Sequence, residues 1–349
     1  MPQQIILSQD INAEIQSLRQ ANAHDKCFVL TDETTHRLCR PLVSDSMPGS
    51  DATDIVIGAT DVNKTLDTLA GVWRALVEGG ASRRSLMVCL GGGMVTDLGG
   101  FAASTFKRGI RFIHVPTTLL SMVDAAVGGK TGINFCGLKN EIGAFSDSIA
   151  VIIDTQFLRT LDAPNLCSGY AEMLKHALLR NETMWAEHLN FDIARPDLPR
   201  LQHMVGESIE TKSDIVRQDP HEQGLRKALN LGHTTGHALE SLAMEKGQPV
   251  LHGYAVAWGI VCELYLSTAL CGFPVERMRQ TVQYIRQHYG TPNVTCNDYD
   301  HLYALMQHDK KNVGGEINFT LLHDVGRIAL DRHASRQLID EALDFLREG

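Results

Sequence analysis

At 349 residues, with 44% hydrophobic and 21% charged side chains, the chain can bury a large core and reads as two domains. A net charge of −9, with no basic tail and no basic–aromatic stripe, argues against nucleic acid as a partner. An anionic substrate would need a local cluster of cations. No run of about 18 apolar residues is evident, so no membrane span is expected. The start MPQQIILSQD lacks the basic residues and long apolar run of a signal peptide. The eight cysteines are scattered without a CxxC. Cys27, Cys89, Cys167 and Cys262 sit in apolar surroundings and read as reduced core thiols of a cytoplasmic protein.

The first part of the chain alternates short apolar runs with helical ones. Strands are expected at Gln4–Leu7, Cys27–Leu30, Asp54–Ile57, Leu86–Leu90, Arg111–Val115 and Ala150–Ile153, with amphipathic runs such as Val62–Val77 between several of them. That alternation predicts an α/β domain with an open, mostly parallel sheet over residues 1–163. Residues 164–349 read as a mainly α-helical domain, with helical runs at 165–180, 198–217, 225–245, 254–271, 275–288 and 334–347. One hairpin is expected around Gly314-Gly315, between Lys311 and Leu322. No internal repeat or low-complexity linker appears. The default place for a ligand is the cleft between two such domains.

Two stretches of the first part carry chemistry. SLMVCLGGGMVTDLGG, from Ser85, is an apolar strand, three glycines and a helix start. Glycines there let the backbone approach a pyrophosphate, whose charge a helix N-terminus favours. The full GxGxxG fingerprint is absent because Thr96 occupies its last place, and a tight strand–helix turn is the weaker alternative for the glycines. HVPTTLLSMVDAAVGGKTGIN then brings Thr117, Thr118, Asp124 and Lys130 after another strand, with Lys139 and Asn140 close behind. Its Gly-Gly-Lys-Thr lacks P-loop spacing but can still bring backbone and an ammonium near an anion.

The second part is centred on GLRKALNLGHTTGHALESLAMEKGQPVLHGY, Gly224 to Tyr254. His233 and His237 are four apart and share a helix face. His252 follows a Gly-Gln-Pro break, at a loop-to-helix junction. Imidazoles converging from a helix and a turn suit Zn²⁺ or a similar metal, although such a pair also occurs as a capped or core pair. Thr234 stands where the metalloprotease motif needs Glu. Glu172, in SGYAEMLKHALL, could add a carboxylate. Lys175, Lys212, Arg226, Lys310 and Lys311 are scattered cations whose meaning depends on convergence.

These motifs, with LKNEIGAF, DTQFLRTL and LHGYAVAWG, run in family order over roughly residues 55–325, and the chain resembles the 3-dehydroquinate synthase family. The resemblance implies NAD and one divalent metal, Zn²⁺ or Co²⁺, with Glu172, His233 and His252 as metal ligands. It moves His237 from ligand to acid–base candidate near the substrate phosphate, beside Glu222. It implies cofactor contacts at Asp32, Ala59, Thr60, Asp61, Lys64, Gly92, Gly93, Met94, Val95, Thr96, Asp97, Thr117, Thr118, Lys130, Lys139, Phe157, Leu158, Arg159 and Thr160. Substrate contacts would come from Asp124, Lys130, Asn140, Lys175, Lys212, Arg226, Asn230, His237 and Lys310, and Arg108 would reach the site of a partner subunit in a homodimer.

The family's substrate is a seven-carbon keto-acid sugar phosphate, so several cations must meet there despite the acidic chain. The implied reaction is a transient oxidation by NAD⁺, phosphate loss by β-elimination, return of the hydride, and an intramolecular aldol closure. The chain departs from the family pattern at Tyr254, where most relatives carry Glu. It also departs at Asp61, which shortens a Glu-x-x-Lys element, and at Met94 and Thr96 in the glycine loop. Tyr254 is the departure expected to touch the surroundings of the metal. The rival readings are another sugar phosphate cyclase, such as a 2-deoxy-scyllo-inosose or valiolone-type synthase, and a metal-dependent glycerol or alcohol dehydrogenase. A non-enzymatic relative is a third. Lys212, Arg226 and Asn230 match the dehydroquinate version.

Overall fold

A computed structural model describes residues 3–49, 51–136, 138–220, 222–307 and 317–348. The chain forms two compact units: Met1–Asp162 with Asp197–Ile209, and Ala163–Pro196 with Glu210–Gly349.

The first unit contains β1 (Gln4–Leu7), α1 (Ile11–Ala21), β2 (Cys27–Asp32), α2 (Glu33–Leu38), β3 (Thr53–Ile57), α3 (Leu66–Glu78), β4 (Leu86–Gly91), α4 (Gly93–Thr105), β5 (Arg111–Pro116), β6 (Lys130–Phe135), β7 (Leu138–Phe145) and β8 (Ala150–Ile153). All six expected strands form, and they make one parallel sheet in the order β1-β8-β5-β4-β2-β3. Every residue of β2 and of β4 is buried, as expected of strands covered on both faces. Phe28, Leu30, Met87, Cys89 and Phe112 from the sheet pack with Leu69, Val72 and Leu76 of α3 and Val95 and Leu98 of α4. The sequence reading missed the antiparallel hairpin β6–β7, which docks through Ile133 and through Thr131, seated over Gly100 of α4. Its outer strand is almost wholly exposed, so it lacks the alternation that marks a half-buried strand.

From β2 the chain steps outward to β3, then crosses back over β2 to β4 and continues through β5 to β8. The strand order therefore reverses between β2 and β4, and open α/β sheets bind ligands at such a switch, outside the carboxyl ends of the strands. Asp32 ends β2, and Gly91-Gly92-Gly93 carries the chain from the end of β4 into α4.

The second unit is helical, with one hairpin among the described residues: α5 (Ala163–Arg180), α6 (Glu182–Leu189), the end of α7 (Leu198–Gln218), α8 (His233–Glu245), α9 (His252–Cys271), α10 (Val275–Tyr289), α11 (Tyr299–Gln307), β9 (Phe319–Asp324), β10 (Arg327–Arg332) and α12 (Arg336–Glu348). The helical run expected over 225–245 is broken. Residues Leu225–Asn230 form a 3₁₀ turn, and Gly232, at φ 79°, starts α8 one residue before His233. Helices α6 and α11 were not anticipated. Gly314-Gly315, Lys310 and Lys311 lie outside the described residues; the described hairpin turns at Val325-Gly326.

Helix α9 departs from the expectation that no stretch could span a bilayer. It has 20 residues and a hydropathy of 1.4, enough by length and composition. It is the unit's central helix, with α5, α8, α10, α12 and β9 packed around it and Glu263 fully buried on it. Three glycines permit that packing. A Cβ on Gly253 would sit 1.9 Å from Ser168 O of α5, and one on Gly259 would sit 1.9 Å from Gly232 O. A Cβ on Gly236 of α8 would lie 2.9 Å from Ala255 O. Backbone therefore meets backbone where α5, α8 and α9 converge, and side chains at those crossings face one another at short range.

Candidate active site

In the first unit the glycine turn is built for backbone exposure. Gly91 has no room for a side chain, because Val95 Cβ lies 2.6 Å from where its Cβ would be. Gly92 caps α4 with no side-chain acceptor, and the first intrahelical bond is Thr96 N to Gly92 O at 3.0 Å. The amides of Gly93, Met94 and Val95 thus precede the helical ladder and have no acceptor within it. The positive end of α4 adds to them, so the turn suits a phosphate. Val95 and Thr96 are buried, and the Thr96 hydroxyl donates to Gly93 O at 3.0 Å, so what they offer a ligand is backbone. Thr117 N donates to Gly91 O at 2.9 Å, and Thr118 Cγ2 would meet a Gly92 Cβ at 3.1 Å; the Thr-Thr turn therefore lies against the glycine turn. Phe157 and Leu158 are buried in the turn after β8, while Arg159 and Thr160 are exposed.

Lys64 joins several predicted residues. Its ammonium, on a residue only 3% exposed, donates to Asp97 Oδ2 and to Asn140 Oδ1, each at 2.5 Å. Asn134 N donates to Lys64 O at 2.8 Å, and Asn134 Oδ1 accepts from Asn140 N at 3.0 Å. Its amide donates onward to Asp61 Oδ2 at 3.0 Å. A predicted cofactor pair, Lys64 and Asp97, and a predicted substrate residue, Asn140, thus form one network across α4 and the hairpin. Thr60 (φ 74°) and Asn140 (φ 52°) hold left-handed backbone there, the kind of strain found at ligand-clamping turns. Lys107 (φ 49°) and Arg108 (φ 67°) are strained likewise, and both are exposed. Lys130 and Lys139 are exposed on the hairpin, Ala59 is half-buried and Asp124 is half-buried after β5. Asp32 has a structural duty: its carboxylate caps α2, accepting from Thr34 N and Thr35 N at 2.8 Å each.

In the second unit, the first residue of α8 (His233), the first of α9 (His252) and Glu172 in mid-α5 converge. Glu172 is fully buried. Its Oε2 accepts from Lys175, one turn on and itself 1% exposed. Its Oε1 makes no hydrogen bond, yet His233 Nε2 lies 3.4 Å away and His252 Nε2 3.6 Å away. Ligand atoms of His233, His237 and His252 all lie within 4.8 Å of one another. Burial works against charge on Glu172, but the Lys175 ammonium and the His252 contact outweigh it and hold the carboxyl below the usual range. For His252, burial opposes the proton. Glu172 and Glu240 outweigh burial and push the imidazole up to about 10.

A cation bound at 2.0–2.1 Å with tetrahedral angles sets its donor atoms roughly 3.4 Å apart. The spacing from Glu172 Oε1 to the two Nε2 atoms matches that, and the buried oxygen without a hydrogen bond is what a metal would satisfy. The donor set therefore fits a Zn²⁺- or Co²⁺-like ion. Each imidazole is oriented from behind: His252 Nδ1 faces Glu240 Oε2 at 3.2 Å, and His233 Nδ1 faces Leu231 O at 3.1 Å.

The remaining described site residues of this unit are buried or turn-bound. Lys212 and Arg226 are buried, and Arg226 donates from Nη1 to Pro220 O at 2.7 Å. Asn230 Nδ2 donates to Glu222 Oε1 at 3.0 Å, tying two predicted residues together. The sequence reading missed Asp219. Its carboxylate accepts the amides of Gln223, Gly224 and Arg226 at 3.0, 2.7 and 3.0 Å, and those bonds, the Gly224 one foremost, hold its carboxyl low. It shapes the turn that carries Glu222 and Arg226. Glu240 and Glu263 were also missed. Glu240 was findable, since it follows His233 at i+7 and His237 at i+3 on one helix face. Tyr254 packs edge-on against Tyr289 and Trp258, at ring separations of 5.2 and 6.3 Å.

A parallel nucleotide-type unit with a glycine turn at its switch point, followed in sequence by a helical unit holding a carboxylate–imidazole cluster, defines a class of two-unit enzymes with an α/β half and an α half. A solved structure of this class, 2-epi-5-epi-valiolone synthase from Streptomyces hygroscopicus subsp. jinggangensis with NAD⁺ and Zn²⁺ bound, superposes with a TM-score of 0.82. It is 24% identical, with 100% of this chain and 97% of that one covered, a likeness of fold. The profile of the 3-dehydroquinate synthase N-terminal family matches residues 54–168, and that of its C-terminal family matches 169–312. The 3-dehydroquinate synthase of Parabacteroides distasonis is 53% identical over 346 residues, 99% of this chain and 98% of that protein. That of Bordetella pertussis is 43% identical over 290 residues, 81% and 79% of the two chains. The chain belongs to the 3-dehydroquinate synthase family.

Proposed function

We infer that this chain acts as a 3-dehydroquinate synthase, a carbon–oxygen lyase of the shikimate route to aromatic amino acids. It converts 3-deoxy-D-arabino-heptulosonate 7-phosphate (DAHP) to 3-dehydroquinate and phosphate. Kinship at 53% identity over nearly the whole chain supports this. The structural observation that carries the reading is the buried Glu172 Oε1 at 3.4 and 3.6 Å from two imidazole nitrogens. When bound, a divalent ion, Zn²⁺ or Co²⁺, supplies Lewis-acid polarisation and NAD supplies a reversible hydride acceptor.

The chain's own residues do the rest. Glu172, His233 and His252 hold the ion. The amides of Gly93 to Val95 take the pyrophosphate, and Lys64 with Asp97 and Asn140 fixes the wall beside it. Lys175, Lys212 and Arg226 are cations 1–6% exposed in a chain of net charge −9. Buried cations of this kind, with Lys130 and Lys310, serve a substrate bearing both carboxylate and phosphate. His237 lies beside the two ligand imidazoles, a position that supports its holding or moving a proton at the phosphate. Glu222, braced by Asn230, is a second proton-handling group. Asp124, Lys139 and the 157–160 turn complete the contacts. The reading includes a cytoplasmic homodimer in which Arg108 reaches the partner's site.

The test is a phosphate-release assay with DAHP, catalytic NAD⁺ and Zn²⁺ or Co²⁺, with the NADH band followed in parallel. Phosphate release without NADH build-up, abolished by chelation, is the expected result. Phosphate release only from a carboxylate-free sugar phosphate would reassign the chain to another cyclase, and steady NADH production from a simple polyol would make it a dehydrogenase.

A further inference from the structure

His233 and His252 are each the first residue of a helix. A helix N-terminus carries about half a positive charge, so two positive helix ends meet where a cation would sit. That arrangement repels a divalent ion unless something offsets it.

Two carboxylates outside the ligand set do so, and they are exchanged between the helices. Glu263 of α9 is 0% exposed and accepts from the first turn of α8: Gly232 N donates to Oε2 at 2.6 Å and Thr235 N to Oε1 at 3.3 Å. Glu240 of α8 is 5% exposed and faces the first residue of α9, with Oε2 3.2 Å from His252 Nδ1. Each helix gives one ligand and one buried carboxylate, and each carboxylate serves the other helix's ligand. Glu240 acts on His252 directly: a proton on Nδ1, bonded to the carboxylate, leaves Nε2 to face Glu172. Glu263 acts on His233 through the backbone. It anchors the Gly232 amide, and the preceding carbonyl, Leu231 O, bonds His233 Nδ1 at 3.1 Å. A buried carboxylate is costly without compensation. Helix-end amides, the imidazole and the ion together provide it.

We propose that Glu240 and Glu263 form a reciprocal clasp of positioning residues that fixes the spacing of His233 and His252 and makes the meeting of two helix N-termini hospitable to a divalent cation. The proposal rests on the metal reading above. Its test uses the full-length protein stripped of metal, Glu240→Gln and Glu263→Gln variants, and two readouts besides activity. These are Zn²⁺ affinity by competition with a chromophoric chelator and the visible absorption of bound Co²⁺, which reports coordination geometry. Each variant should weaken Zn²⁺ binding about 10- to 100-fold and shift the Co²⁺ band, with helix content by circular dichroism unchanged. Wild-type affinity and an unshifted band in both variants, even with a lowered melting temperature, would make the carboxylates merely structural and overturn the clasp. A wild-type protein that binds neither ion would remove the metal reading and the clasp with it, whereas tight wild-type binding matched by the variants removes the clasp alone. If Glu263→Gln does not fold, hydrogen exchange of the wild-type metal-free protein decides: the Gly232 and Thr235 amides should be protected, and exchange at free-turn rates would overturn the proposal.

Discussion

The sheet unit and the helical unit prepare for charged ligands by opposite means. In the first, the groups offered are backbone amides at the start of α4, kept bare by Gly91, Gly92 and Gly93, and most flanking side chains turn into the core or into local caps. In the second, the groups are side chains, Glu172, Lys175, Lys212, Arg226, Glu240 and Glu263, all at most 6% exposed, and Glu240 and Glu263 find partners on a neighbouring helix while Glu172 and Lys175 pair within α5. The carboxyl end of a strand presents polar backbone at no cost of burial. A helix bundle satisfies its own backbone, so its chemistry must be carried by buried charge. Mutations in the helical unit should therefore do more damage than mutations at the carboxyl ends of the strands.

The largest effect is expected at Glu172. Glu172→Ala removes a proposed ligand and leaves the Lys175 ammonium buried without its carboxylate. Breaking one side of a buried pair costs about 3–5 kcal/mol. Metal content should fall to background, activity should disappear, and the urea midpoint of the metal-free protein should drop. Wild-type metal stoichiometry in this variant would refute the ligand assignment.

Next come the glycines, where the two units should give opposite signs. Gly253→Ala places a Cβ 1.9 Å from Ser168 O and must push α9 off α5, at about 1–3 kcal/mol or more. Gly71→Ala, in mid-α3 of the sheet unit, meets nothing within 4 Å and should stabilise by about 0.5–1 kcal/mol. Thermal melts of both variants check the pair. A neutral Gly253→Ala would mean that the α5–α9 approach is looser than described.

These positions also show what the sequence could reveal. The strands of the sheet unit were legible because β2, β4, β5 and β8 are short apolar runs bounded by turn residues. The hairpin β6–β7 was not, because one of its strands faces solvent almost throughout. His233, His237 and His252 were legible as a cluster through spacing and the Gly-Gln-Pro break. Spacing could offer Glu172, 61 positions before His233, as a carboxylate from another helix but could not pair it with the histidines, and the family resemblance supplied that pairing. Glu263 carries no local signal at all. Its role exists only because Gly232 and Gly259 let α8 and α9 touch, and a contact across 31 residues is invisible to any helical period.

A proton effect follows from His252. Its folded-state value, raised to about 10, lies above the ordinary imidazole value of about 6.5. The proton's contribution to stability of the metal-free protein is thus fully present below about 6.5 and lost as pH rises through about 10. Zn²⁺ needs the same Nε2 lone pair, so binding near pH 8 should release about one proton, and release should fade above pH 10. Calorimetry in buffers of different ionisation enthalpy measures this. Zero release at pH 8 would mean that His252 is already neutral there.

The smallest effect lies at the carboxyl end of β2, where cap and cofactor contact must be separated. Asp32 ends β2 at the switch point and caps α2 through Thr34 N and Thr35 N. Asp32→Ala should cost about 1 kcal/mol from the lost cap alone. Asn caps as well as Asp, so Asp32→Asn should keep the stability while removing the charge. If Asp32 also meets the adenosine end of NAD, both variants should weaken NAD binding by calorimetry. If only Asp32→Ala weakens it, the residue acts by holding α2 in place. The Asn variant decides because the two duties ask different things of one side chain: the cap needs an oxygen at this position, and a ribose contact of the carboxylate type needs its charge.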